Sequence, residues 1–130
     1  MLRFSSLIVA AALLAFAILA VPGKGQAGGL PDGVSIEVLA EYASKTPGVE
    51  KILFRRMTLK PGASWSLTVP AQSVCQATKG ELVVTDHTSG ETLVFNTGDR
   101  WDTSPGHEVT LSNRGTVDHE HLFYTMIAAP

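Results

Sequence analysis

The amino-acid sequence predicts an all-β domain, built as a sandwich or a barrel, and three observations lead to this prediction. Short apolar or alternating segments recur about every ten residues along the 130-residue chain. Turn signals separate these segments, and the chain contains 12 Gly and 7 Pro residues. No long segment repeats its apolar residues with the 3.6-residue period of a helix.

The N-terminal segment is typical of a secretory signal. Arg3 precedes an unbroken apolar run over residues 7–21, which is 15 residues long, whereas a membrane-spanning helix needs about 20. Small residues at Gly25 and Ala27 favour cleavage after Ala27, and cleavage after Ala20 is the alternative. An uncleaved membrane anchor is a further alternative. We therefore expect a signal peptide over 1–27, a flexible leader over 28–33 and one domain over 34–130.

The domain is expected to consist of short strands that end at Gly, Pro or Asn residues. The segment 34–43 fits either a strand or a short helix, since its Glu, Leu and Ala residues favour a helix. The segments 81–85 and 91–95 form a predicted hairpin around Thr88-Ser89-Gly90. The other segments are predicted as strands over 51–59, 65–69, 74–78, 100–103, 108–112 and 120–128.

Charge and cysteine content exclude several classes of protein. The formal net charge is −2, and removal of residues 1–27 takes away two basic and no acidic residues, which leaves −4. A nucleic-acid-binding domain usually carries a basic excess, so no nucleic-acid partner is expected. Cys75 is the only cysteine, which excludes an intrachain disulfide. Its apolar neighbours favour a buried small hydrophobe, and a metal-bound thiolate or an intermolecular disulfide are the alternatives.

The signal also implies a location for the protein. We expect an exported protein, in the bacterial periplasm or secreted, with no stable insertion in the membrane after cleavage.

Short motifs stand in a characteristic order between residues 59 and 126. They are Leu59-Lys60-Pro61-Gly62-Ala63, Lys79-Gly80-Glu81-Leu82, Thr97-Gly98-Asp99 and Ser104-Pro105-Gly106-His107, followed by Asn113. This order resembles that of the cupin superfamily, in which Pro-Gly precedes a first motif, Gly-Glu-Leu ends it, Gly-Asp opens a second motif and Pro-Gly-His lies inside it. The resemblance implies a single cupin-like jelly-roll β-barrel and a possible homodimer.

The resemblance also implies where a metal would bind, and this sequence departs from that pattern. Many cupin enzymes hold a metal with two His at i and i+2 and a Glu from the first motif, plus one His from the second. Between Gly62 and Gly80 this chain has no His, Asp or Glu. His107 stands where the His of the second motif is expected. The usual four-ligand site is therefore predicted to be absent.

The segment Asp118-His119-Glu120-His121 is a second candidate site. On a strand, His119 and His121 project to the same face. Together with His107 they form a candidate site for a divalent transition metal such as Zn, Cu, Ni or Fe. Alternatively, His119 and His121 face solvent, or they line a cavity and bind an organic ligand by hydrogen bonds.

Three other features have a structural interpretation, and two of them also have a functional one. Trp65 and Trp101 are core residues or stack on a ligand at the barrel mouth. His87 lies at a surface turn. The basic pair Arg55-Arg56 marks an exposed edge or an anion contact.

Two functions are consistent with the sequence, beside a structural role as a homodimer that serves as an oligomeric scaffold. The first is a small-molecule-binding barrel without the usual metal site, with His107, His119, His121, Trp65 and Trp101 as candidate ligand-binding residues and no cofactor favoured. The alternative is a metal-dependent oxygenase or isomerase with a displaced site on His107, His119 and His121. The sequence identifies neither the ligand nor a reaction.

Overall fold

The computed structural model describes residues 29–130, so the predicted signal peptide over 1–27 lies outside the described residues. Every regular element in the described part is a strand, which confirms the all-β prediction. The segment that fitted either a strand or a helix is a strand. The nine strands are β1 (Val34–Ala43), β2 (Val49–Leu59), β3 (Ser64–Thr68), β4 (Ser73–Lys79), β5 (Leu82–Asp86), β6 (Thr92–Phe95), β7 (Arg100–Asp102), β8 (Glu108–Ser112) and β9 (His119–Ala128). The described part of the chain contains no helix long and apolar enough to cross a membrane.

The strands form two antiparallel sheets. The five-stranded sheet has the order β1-β2-β9-β4-β7, and the four-stranded sheet has the order β3-β8-β5-β6. The prediction of a barrel is wrong on one point. The two sheets share no hydrogen-bonded strand pair, so they remain separate and do not close into a barrel. The consecutive strands β6 and β7 lie at edges of different sheets, and the stacked rings of Phe95 and Trp101, 4.1 Å apart, connect them there.

The core lies between the two sheets. Met57, Leu59 and Phe123 from the five-stranded sheet pack in one cluster with Trp65 and Leu82 from the four-stranded sheet. Burial alternates along β4 and β9, so each strand turns one set of side chains inward and the other outward. This alternation decides which polar residues of these strands become buried.

The segment that precedes β1 is held to the domain where it is described. Leu30 packs against the core cluster, and the carbonyl of Pro31 accepts a hydrogen bond from the backbone N–H of Val34. The part of the predicted flexible leader over 28–33 that the structure describes is therefore anchored by apolar burial.

Asn113 joins two ends of the fold. Its side-chain amide is buried and donates to the carbonyls of Leu59 and Val117, at 2.9 and 2.8 Å. Its Oδ1 accepts from the N–H of Gly115. The asparagine that ends the second motif therefore satisfies buried backbone groups at the end of β8.

Candidate ligand-binding cavity

Register in the five-stranded sheet places inward residues of neighbouring strands side by side. Arg55 on β2 pairs with Phe123 on β9, Phe123 pairs with Cys75 on β4, and Cys75 pairs with Trp101 on β7. These four residues form one row across the inner face of the sheet. The rows on either side contain Thr125 with Ser73, and Met57 with His121.

A cavity of about 130 Å³ lies between the two sheets, and it is lined by residues of both. From the four-stranded sheet Trp65, Leu67, Leu82, Val109 and Leu111 contribute an apolar wall. Among residues 29–130, no Asp or Glu lines the cavity. A concave, mostly apolar space with a few polar groups is typical of small-molecule sites.

The polar groups of the cavity converge around Thr125. The guanidinium of Arg55 donates from Nη2 to Thr125 Oγ1 at 2.7 Å, and this Oγ1 lies 2.8 Å from Ser73 Oγ. The Arg55 guanidinium also lies over the ring of Phe123, 4.6 Å from its centroid, which is a cation–π contact. Burial lowers the pKa of Arg55, but an Arg side chain remains charged in proteins. The cavity therefore contains one cation.

His119 and His121 face inward from β9 and are buried, with 0% and 3% of their surface exposed. His119 Nε2 lies 2.8 Å from His121 Nδ1, so one ring donates to the other. Desolvation lowers the pKa of His121 to about 3, and the neighbouring His119 adds to the effect. Desolvation also lowers the pKa of His119. Hydrogen bonding to the backbone of Gly80 and Lys79 raises this pKa, but by less than desolvation lowers it. Both rings are therefore neutral at pH 7, and His121 lines the cavity.

His107 lies in a different environment. Its Nδ1 is 2.7 Å from Asp86 Oδ2, and Asp86 Oδ1 accepts from the N–H groups of Thr88 and Ser89 in the β5–β6 turn. The bond to His107 lowers the pKa of Asp86 to about 2. His107 is not among the cavity-lining residues, and the next inward residue on β8 is Val109. The structure places His107 in a hydrogen bond with Asp86 at the β5–β6 turn.

The described residues do not fit the metal site that the resemblance implies. Among residues 29–130 no three His, Cys, Asp or Glu side chains are grouped closely enough to hold a metal ion. The predicted cluster of His107, His119 and His121 is therefore not formed, because Asp86 engages His107 elsewhere. Ser73 and Val109 face the cavity from the two motif regions. Neither side chain is a good ligand for a divalent cation.

The two tryptophans both line the cavity, in different ways. Trp65 on β3 is 5% exposed, and its indole Nε1 is buried without a hydrogen-bond partner. Trp101 on β7 is half-buried, stacks on Phe95, and meets the ring of His121 edge-on at 5.3 Å. Trp65 therefore offers an unused donor, whereas Trp101 closes one side of the space.

Cys75 also lines the cavity, and it is buried. Burial raises the pKa of its thiol to about 12, with a smaller contribution from the Asp102 carboxylate. A thiol of that pKa is a poor nucleophile and a poor metal ligand at neutral pH. The environment of Cys75 agrees with the buried small hydrophobe that the sequence favoured.

Sequence reasoning missed the three residues that form the hydrogen-bonded polar group of the cavity: Arg55, Ser73 and Thr125. Arg55 was considered only as half of a basic pair, and the two hydroxyls look like ordinary strand residues. The usable signal is the alternation of β2, in which Arg55 shares its face with the buried Met57 and Leu59. Arg56 takes the opposite face and pairs with Glu37 at 2.9 Å.

Comparison with known proteins gives likenesses in structure. No protein-family model matches the chain, and no curated protein does. A crystal structure of a predicted oxalate decarboxylase from Thermotoga maritima is 26% identical, with a TM-score of 0.56, over 72% of this chain and 80% of that one. The Cupin_2 domain of an XRE family transcriptional regulator from Enterobacter cloacae is 15% identical, with a TM-score of 0.60, over 76% of this chain and 99% of that one.

A third similar structure is a putative ethanolamine utilization protein Q from Salmonella typhimurium. It is 19% identical, with a TM-score of 0.59, over 78% of this chain and 79% of that one. The neighbours thus share one fold, and their names cover a predicted oxalate decarboxylase as well as a domain of a transcriptional regulator. The resemblance drawn from the ordered motifs is confirmed.

Proposed function

We propose that this chain, which has the cupin fold, is an exported protein that binds a small molecule in the cavity between its two sheets, without the usual cupin metal site. The observation that carries this proposal is the cavity itself: it is apolar, has a confined polar corner around Arg55, and contains no grouped metal ligands. The fold alone does not decide function, because unrelated functions share it.

The proposal is tested by a variant that fills the cavity. Val109 lines the space and is buried, so Val109→Phe places a ring where a ligand would lie. Val74→Phe is the matched control, since Val74 is 48% exposed on the outer face of β4. A library of small organic compounds is screened by the shift in Tm that binding produces.

The expected result is a set of compounds that raise the Tm of the wild type and of Val74→Phe but leave Val109→Phe unshifted. Compounds that stabilise all three proteins equally bind elsewhere and contradict the proposal. A screen without any stabilising compound also contradicts it.

The alternative function, a metal-dependent oxygenase or isomerase, has one observation in its favour. His119 Nε2 and His121 Nδ1 lie 2.8 Å apart inside the fold, next to the cavity. Metal content of the untagged mature protein, after incubation with Fe, Zn, Ni or Cu, tests this alternative. About one equivalent of metal that is lost in a His119→Ala/His121→Ala variant favours the enzyme, and no retained metal rejects it.

Export is proposed from the N-terminal sequence alone. Expression of the full chain in a bacterial host, followed by mass spectrometry of the periplasmic protein, tests it. A mature N-terminus at Gly28 or at Val21 supports cleavage at the two predicted positions. An intact chain that stays in the membrane fraction supports the uncleaved anchor instead.

A further inference from the structure

The chemistry of the cavity is set by one charged group. Arg55 is the only charged residue among its lining residues, and it forms no ion pair within residues 29–130. The neighbouring Arg56 and the nearby Lys51 each pair with a Glu on β1. Partial burial of a cation without a nearby carboxylate costs free energy, because no opposite charge offsets the loss of its hydration.

The two fully buried atoms of the cavity-lining residues that have no hydrogen-bond partner are both donors. A guanidinium has five N–H donors and no acceptor. One hydrogen bond of Arg55 goes to Thr125, and its Nε is buried without a partner. Trp65 Nε1, which is also only a donor, is buried without a partner too. Both residues line the cavity, and Arg55 Nη1 has no hydrogen-bond partner among residues 29–130 and is not fully buried, so a ligand that accepts hydrogen bonds can pair with the guanidinium.

The hydroxyls beside Arg55 can add to the same site. Thr125 Oγ1 accepts from Arg55 and lies 2.8 Å from Ser73 Oγ. When Thr125 donates its proton to Ser73, the hydroxyl hydrogen of Ser73 is free to point at a ligand. Ser73 lines the cavity as well.

The other titratable groups facing the cavity carry no charge at neutral pH. Burial lowers the pKa of His121 to about 3 and raises the pKa of Cys75 to about 12. The net charge of the lining is therefore +1. One carboxylate balances it, whereas a second negative charge on the ligand would be buried without a partner.

The remaining wall and the volume limit the rest of the ligand. Leu67, Leu82, Val109 and Leu111 present only apolar surface. The space of about 130 Å³ compares with an apolar cavity of about 150 Å³ that accommodates benzene. The ligand body is therefore apolar and at most about the size of a benzene ring.

We propose that the cavity binds a small monocarboxylate, whose carboxylate pairs with the Arg55 guanidinium and whose apolar body lies against the wall of the four-stranded sheet. This inference rests on the proposed function, since it requires that the cavity binds a small molecule. Arg–carboxylate pairs are charge-assisted and often bidentate, which gives geometric selectivity as well as affinity.

The experiment compares matched probes by calorimetry and by Tm shift. Benzoate is the monocarboxylate probe, benzamide is its neutral counterpart of the same shape, and phthalate carries a second carboxylate. The wild type is expected to bind benzoate at least ten-fold more tightly than benzamide or phthalate. This comparison needs no variant, so it stands even if a substitution at Arg55 prevents folding.

Variants at the basic pair then assign the effect to one side chain. Arg55→Gln is expected to reduce benzoate affinity at least ten-fold and to reduce benzamide affinity by a much smaller factor. Arg55→Lys retains the charge without the planar fork, so an intermediate affinity is expected. Arg56→Gln is the matched control, because it removes the same charge from the outer face, and benzoate affinity should not change.

Two results would overturn the inference, and they are distinguishable. If benzamide binds as tightly as benzoate and both are lost only in Val109→Phe, the cavity binds small molecules without selecting a carboxylate, and the proposed function stands alone. If none of the three probes binds and the compound screen is also negative, the proposed function fails as well.

Discussion

At the scale of single residues, alternation along a strand separates neighbours with the same chemistry. Arg55 and Arg56 are adjacent in the chain, yet Arg55 lines the cavity and Arg56 pairs with Glu37 on the outside. His119 and His121 are two apart, so both face inward and bond to each other. Side-chain direction, and not residue type, therefore decides which of these groups can meet a ligand.

Asp86 and His107 show a residue-scale effect with a measurable pH dependence. The hydrogen bond from His107 lowers the pKa of Asp86 from 3.8 to about 2 in the folded protein. A carboxyl whose folded pKa is lowered contributes stability above its unfolded pKa and loses it as pH falls through the folded value. We expect this contribution to the free energy of unfolding to disappear between about pH 4 and pH 2.

Urea denaturation of the wild type, Asp86→Asn and His107→Gln at several pH values between 5 and 2 measures this effect. Both variants should show a flatter decline than the wild type over that window. Parallel declines in all three proteins would mean that the Asp86–His107 pair is not formed in solution.

At the scale of elements, the turn between β4 and β5 depends on a single glycine. Gly80 has φ +67°, and a Cβ at this position would lie 2.5 Å from the carbonyl oxygen of Asp118. The turn therefore lies in close contact with the backbone of Asp118, which precedes β9 and the buried His119. The glycine of the Gly-Glu-Leu sequence is therefore required in this chain, because a side chain at this position would overlap the backbone.

Gly80→Ala is expected to destabilise the fold by about 3 kcal/mol, because the positive φ and the backbone overlap both oppose a side chain. Gly90→Ala is the matched control. Gly90 has φ +81° but no atom within 4 Å of the added Cβ, so only about 1 kcal/mol is expected. The measurement is the free energy of unfolding in urea, and equal losses in the two variants would contradict the close approach at Gly80.

At the scale of the whole molecule, side-chain contacts rather than a continuous backbone hydrogen-bond ladder hold the two sheets together. The two ladders share no strand. Phe95 and Trp101 stack across the sheet edges at 4.1 Å, whereas Phe54 and Tyr124 stack at 4.4 Å between β2 and β9 within one sheet. The first pair closes the side of the cavity where His121 lies.

Phe95→Ala is therefore expected to lower the free energy of unfolding by about 3 kcal/mol, because it opens a gap between the sheets. Tyr124→Ala is the control, with a loss of about 1 kcal/mol, since Tyr124 is 45% exposed and packs within one sheet. Urea unfolding measures both losses. A smaller loss in Phe95→Ala than in Tyr124→Ala would contradict the role of the bridging stack.

The homodimer implied by the resemblance stays a prediction at this scale. Light scattering coupled to gel filtration measures the mass of the mature protein, and a single species near twice the monomer mass is the expected result.

Local residue chemistry by itself determined the strand content and the order of the turns. Positive-φ glycines at Gly80, Gly90, Gly98 and Gly106 stand at turns that were predicted from Gly and Pro signals. The strand 108–112 was predicted with the observed bounds, and the other strands from β2 onward differ by at most two residues at an end. Periodicity and turn chemistry act over a few residues, so the sequence alone carries them.

Only the tertiary structure decided which polar residues meet. Arg55, Ser73 and Thr125 lie far apart in the chain, and strand register brings them within hydrogen-bonding reach. His107 looked like a partner of His119 and His121, but Asp86 engages it at the β5–β6 turn. Pairing between distant strands and the burial that follows from it depend on the packing of the whole chain, so no short segment contained the site.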